Sequence, residues 1–201
     1  MALKFANNNS LSAITSLPDS ISGGGMTLIS TQTASSSATI SFTSGIDSTY
    51  DEYVFKFYDI HPATDDISFE FNASTNGGSS YGVNKTTTFF NAYHNEAGNS
   101  TNLGYGAGSD LQDSTVSYQR ILAGVGNGND ESGVATLYLF SPSSTTFVKH
   151  FISVGQRLSQ TYSVNDFVAG YFNTTTAINA IQFRFASGNI DSGVIKLYGI
   201  S

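Results

Sequence analysis

The chain has no cysteine, no tryptophan and three prolines, and charged residues make up 11 % of its 201 positions. The missing cysteine excludes a disulfide framework, a thiolate metal site and a cysteine nucleophile. The 8 Lys plus Arg set against 15 Asp plus Glu leave a net charge of -7. That balance opposes the counterion release that drives nonspecific nucleic-acid binding, so no nucleic-acid partner is expected. No run approaches the roughly 20 apolar residues of a membrane span, and no membrane insertion is expected. The opening Met1-Ala2-Leu3-Lys4-Phe5 carries one cation but runs into Asn7-Asn8-Asn9-Ser10 without a signal-peptide apolar block. Export by the ordinary secretory route is therefore not expected.

Helical spacing of apolar residues is scarce, and strict alternation takes its place. Ile67-Ser68-Phe69-Glu70-Phe71-Asn72-Ala73 is the cleanest case, followed by Ile181-Gln182-Phe183-Arg184-Phe185 and Ala38-Thr39-Ile40-Ser41-Phe42. Period two sends successive side chains to opposite faces of a sheet. About a quarter of the chain is Ser or Thr, a strand-and-turn vocabulary. The pattern predicts strands near 26–32, 38–43, 53–60, 67–73, 86–93, 134–140, 147–154, 166–172, 180–185 and 194–200. Breaks come at Gly45, His61-Pro62, Asn76-Gly77-Gly78, Ser141-Pro142 and Gly188-Asn189. Ten short strands at this spacing predict an all-β fold, a two-sheet jelly-roll-like β-sandwich. The expected core is aromatic: Phe42, Tyr53, Phe55, Phe57, Phe69, Phe71, Phe151, Phe183 and Phe185.

Two regions stand apart. Residues 1–25 carry sparse apolar residues and close with Gly23-Gly24-Gly25, reading as an N-terminal anchoring arm and hinge ahead of a sandwich domain at 26–201. Leu11, Ile14 and Leu17 fall on one face of a short helix that Pro18 would stop. Together with Leu3 and Phe5 they are the expected docking residues, the alternative being a strand or turn packed on the chain's own domain. The Gly/Asn/Ser-rich interval from Asn95 to Asn129, with one poorly marked strand at Tyr118 to Val125, is too long for a simple connection and is the candidate contact surface.

Chemistry-bearing constellations are weak. Asp66 and Glu70 sit four residues apart along a strand, roughly 13 Å at about 3.3 Å per residue, while paired glycosidase carboxylates stand about 5–9.5 Å apart. A solvated polar face is the expectation for both. His61, His94 and His150 lack metal-ligand spacing, and no G-x-S-x-G is present. Asn127, Asn129 and Asp130 offer oxygens that suit calcium but not the EF-hand spacing; a plain polar turn is expected there. No other cofactor is implied. Tyr93, Tyr105 and Tyr118 are candidates for stacking on a ligand such as a sugar ring or for filling a contact between protomers.

The wording of four stretches adds a resemblance. MALKFANNNSLSAITSLP at 1–18, LISTQTASSSATISFTSGIDSTYDEYVFKFYDIHPAT at 28–64, FSPSSTTFVKHFIS at 140–153 and GNIDSGVIKLYGIS at 188–201 resemble a group of virion proteins encoded by tailed bacteriophages of marine bacteria and cyanobacteria. The resemblance implies a structural particle component and supplies no catalytic residues. It leads to the expectation of a non-enzymatic virion surface protein, a capsid decoration or head-fibre module made in the host cytoplasm. Its expected partners are other virion proteins of capsid or tail and further copies of itself, a trimer by analogy. The alternative is a tail fibre or receptor-binding module that recognises host-surface glycans.

Overall fold

The computed structural model describes residues 25–114 and 117–200. Twelve strands and no helix occur among them: β1 (Met26–Ser37), β2 (Ile40–Phe42), β3 (Glu52–Pro62), β4 (Ile67–Ser74), β5 (Lys85–Asn95), β6 (Thr101–Tyr105), β7 (Gln119–Val125), β8 (Gly133–Phe140), β9 (Lys149–Ser159), β10 (Tyr162–Phe172), β11 (Ala180–Phe185) and β12 (Ile190–Ile200). All ten expected strands are present. The poorly marked strand is β7, and β6 had no recognisable signal, because Thr-Asn-Leu-Gly-Tyr alternates weakly and leaves Leu103 and Tyr105 exposed.

An eight-stranded sheet in the order β1-β12-β3-β8-β9-β10-β5-β6 faces a four-stranded sheet in the order β2-β11-β4-β7. The all-β two-sheet sandwich is thus as the alternation predicts. Setting aside two hairpin arms, β5–β6 and β9–β10, the strands pair in nested fashion: β1 with β12, β2 with β11, β3 with β8, β4 with β7. That is the pairing of one long hairpin rolled upon itself, compatible with the jelly-roll expectation. The added hairpins lengthen one sheet only, so that sheet outgrows its partner.

The core fills the space between the sheets. Every aromatic residue expected there is buried to 2 % exposure or less, and Phe89 and Phe172 join them. Phe183 of β11 is the hub, with Phe57, Phe55 and Phe42 packed edge-on at 4.9, 5.1 and 6.1 Å between ring centres. Such edge-to-face pairs contribute about 0.5–1.5 kcal/mol each beyond their buried area.

A buried ion pair ties the two sheets together where the large one begins to overhang. Arg157 of β9 and Asp166 of β10 meet at 2.9 Å. Asp166 Oδ2 also accepts the Ala123 N–H of β7 at 3.0 Å, and the Arg157 guanidinium donates to the Gly124 carbonyl. The β4–β7 register shifts at this point. Gly124 has φ +109°, and a Cβ there would meet Asp66 Oδ1 at 2.5 Å. Only glycine makes this bulge cheaply, and the bulge turns two main-chain groups away from the ladder and onto the ion pair.

Candidate binding site

The polar face of the small sheet brings three charged side chains into one row. Cross-strand register sets Arg184 of β11 beside Glu70 of β4, and Glu70 beside Arg120 of β7. Alternation dictates the row, since Phe69, Phe71, Phe183 and Phe185 take the inward positions. Glu70 Oε1 accepts from both Arg184 Nε and Nη2 at 2.8 Å. The expected solvated face is corrected here: Glu70 is 7 % exposed and Asn72 is fully buried, because two loops roof the sheet. Asn72 Nδ2 donates to the Tyr81 carbonyl in the first loop, and Arg120 Nη1 donates to Ser109 Oγ in the second. Burial raises the Glu70 carboxyl above its ordinary range, and the Arg184 hydrogen bond works against that rise. Asp66 lies outside β4, with a left-handed backbone at φ 50°.

The second loop is the Gly/Asn/Ser-rich interval, and it is ordered by specific bonds. Its main chain continues along the β5 edge where β6 ends, with Thr87 N–H donating to the Leu111 carbonyl at 2.9 Å and Lys85 N–H to the Ser114 carbonyl at 3.0 Å. Gln119 Nε2 donates to the Ser109 carbonyl at 3.0 Å, and Thr87 Oγ1 donates to Gln119 Oε1 at 2.5 Å. Between loop and sheet lies a pocket of about 330 Å³ lined by Glu70, Ser109, Asp110, Tyr118, Arg120 and Arg184. Lys85, fully buried nearby, donates Nζ to the Val83 carbonyl at 3.1 Å. Burial holds its ammonium down at about 8, with the Glu70 charge opposing.

The candidate tyrosines divide. Tyr118 lines the pocket, but the Arg184 guanidinium lies 3.8 Å from the centre of its ring and its hydroxyl donates to Gln182 Oε1 at 2.5 Å. Burial raises its phenol. Tyr105 reaches the rim through a 2.6 Å hydrogen bond to Asp110 Oδ2, which raises its phenol. Its ring stays exposed on the other side of the overhang. Tyr93 goes elsewhere: it sits opposite Val164 on the inward side of β5 and packs edge-on with Tyr162 at 5.6 Å. Leu3, Phe5, Leu11, Ile14 and Leu17 lie outside the described residues.

The calcium candidates occupy a turn held by protein groups. Glu131 accepts the N–H of Gly128 at 2.7 Å and the N–H of Gln160, while Asn127 donates its main-chain N–H to Asp65 Oδ1 and its Nδ2 to the Ala63 carbonyl. His61 Nδ1 lies 2.7 Å from the Glu131 carbonyl. Among the described residues no three His, Cys, Asp or Glu side chains group so as to hold a metal ion.

What sequence reasoning missed is the pairing rather than the residues. A Glu and an Arg at mid-strand polar positions, in a chain with so few charges, are a signal for cross-strand partners. Arg120 carries no such mark, since its partner Glu70 lies in another segment; Arg157 and Asp166 meet across the β9–β10 hairpin, but nothing local announces the β7 main chain that they hold. No family model, curated protein or solved structure matches the chain. The pocket's chemistry is that of binding: two guanidiniums and two carboxylates, fixed by hydrogen bonds, suit a polar ligand with several acceptors and donors.

Proposed function

We propose that the protein is a non-enzymatic virion surface component of a tailed bacteriophage, held to the particle through residues 1–22 and presenting its sandwich outward. The observation that supports this reading is that the described strands form a sandwich with a core of their own, in which β1 pairs with β12 from Met26 opposite Ile200, and residues 1–22 precede that sandwich. On this reading Leu3, Phe5, Leu11, Ile14 and Leu17 dock onto a partner on the particle. Large apolar side chains buried on docking contribute on the order of 1.5–3 kcal/mol each, and copies held together add avidity.

Immunogold labelling of purified particles with antibody against residues 26–201 tests it. Gold over the head supports decoration. Unlabelled particles, with the protein still present in infected-cell lysate, overturn the virion reading. Deleting residues 1–22 should leave a folded body that no longer joins particles.

The pocket beside Tyr118 favours a second reading, a tail module that binds host-surface glycans. Gold confined to the tail would move it forward, as would glycan-array binding lost in Tyr105→Ala or Tyr118→Ala.

A further inference from the structure

The outward face of the large sheet differs from the outer face of the small one among the described residues. The outward positions of β8, β9, β10, β5 and β6 carry no Asp, Glu, Lys or Arg. Apolar groups run across them in register: Thr136, Val154, Phe167, Phe90 and Tyr105 stand side by side on five successive strands. Phe167 and Phe90 stack at 4.7 Å, nearly parallel. This row and its neighbours hold much of the exposed apolar surface, with Ile152 46 %, Phe90 42 % and Leu103 70 % exposed. Beyond β8 the character changes, and Lys56 and Lys196 appear beside one another on β3 and β12, above the rings of Tyr198 and Tyr58. An uncharged apolar centre bordered by charge is the composition of a protein–protein interface, not of a solvated sheet.

We infer that this face binds the same face of a second copy of the chain. Three observations select that occupant. A surface without charge offers nothing to a charged partner, so its complement must be equally uncharged and apolar, and the face itself meets that requirement. Each chain carries a net charge of -7, so two copies repel except where the charge is absent, which is here. The area also suits: five strands at about 4.8 Å and nine residues at about 3.3 Å span roughly 700 Å² a side, close to the ~800 Å² per partner of a stable complex. Relief is present as well as flatness. Shallow hollows of about 390 and 450 Å³ beside Gln156 and Ala169 flank the ridge of Val154 and Phe167, so a two-fold arrangement lets the ridge of one copy enter the hollows of the other. The inference is independent of the virion reading.

The test is sedimentation equilibrium of the full chain at tens of micromolar, for the wild type, Phe90→Glu, Val154→Glu and Phe147→Glu. Phe147 is exposed to 72 % but lies in the loop before β9, off the face. The expected result is a wild-type mass twice that of the chain, a single-chain mass for Phe90→Glu and Val154→Glu with unchanged circular dichroism, and a wild-type mass for Phe147→Glu. A wild type that remains monomeric overturns the inference, and so does an oligomer indifferent to both face substitutions. An oligomer dissolved by Phe147→Glu or by removal of residues 1–22 alone places the contact elsewhere and overturns it too.

Discussion

The two sheets reverse the usual relation between polarity and exposure on their outer faces. The small sheet's outer face carries Glu70, Arg120 and Arg184 and is roofed by loops, whereas the large sheet's outer face from β8 to β6 is uncharged in its strand positions and has no roof among the described residues. Alternation along a strand says which side chains share a face, but not which face meets water. Loops decide that. The roof over the small sheet is built from connections that leave and re-enter its strands, and the overhang of the large sheet comes from hairpins that have no counterpart opposite.

The comparison depends on the sheets staying in register with each other, so its hardest test is the ion pair that joins them. Asp166→Ala leaves Arg157 buried without its carboxylate and should cost about 3–5 kcal/mol. Urea denaturation measures it, and replacing both residues by apolar ones of similar size should recover much of the loss. A loss under 1 kcal/mol would mean that the pair is dispensable to the sandwich.

Next in size is the lysine beneath the roofed face. Lys85 titrates at about 8 in the fold against an ordinary 10.5, so the unfolded chain holds the proton more tightly. Its contribution to stability rises as pH climbs from about 8 to 10.5 and is absent below 8, with a ceiling of roughly 3 kcal/mol. Lys85→Met should therefore be more stable than the wild type at pH 7, and the gap should narrow at pH 10. A gap of equal size at both values would show that the ammonium is solvated.

Arg184→Met removes both donors to Glu70 Oε1 and should cost about 1.5–3 kcal/mol at pH 7. Burial already raises the Glu70 pKa in the wild type, and losing Arg184 raises it further. A group raised in the fold contributes stability below its unfolded pKa and loses it as pH rises through the folded one. The variant's deficit should accordingly shrink on going from pH 7 to pH 4, in chemical denaturation followed by far-ultraviolet circular dichroism. On the outer face of the large sheet the expected stability effect is smallest: Thr88→Lys, at an exposed position, should lie within about 0.5 kcal/mol of the wild type when both are unfolded at concentrations dilute enough to keep the chain single. A larger loss there would mean that the face is structural in the single chain.

Most of the fold was legible in the residues. Strands such as Phe69–Phe71 and Phe183–Phe185 announce themselves because both neighbours of each polar residue are aromatic, and the core that they predict is the core observed. The site was legible only by halves. Tyr118 and Tyr105 were identifiable as residues, but Tyr118 is engaged by Arg184, a partner 66 positions away, and no local pattern encodes that distance. The roofing of Glu70 was illegible for the same reason: the loop that covers it is poor in apolar residues and is held by hydrogen bonds to Gln119 and Thr87.

The nested pairing has a geometric outcome for the two ends of the body. Met26 stands opposite Ile200, so the segment before β1 and anything appended after β12 emerge side by side at one end of the body. The opposite end is a tip where the loops at Ala63–Asp66, Asn127–Glu131 and Gly188–Asn189 are hydrogen-bonded to one another, bearing Asp65, Asp130 and Glu131. Both ends of the described chain thus leave from one pole of the body, and the acidic loops crown the other.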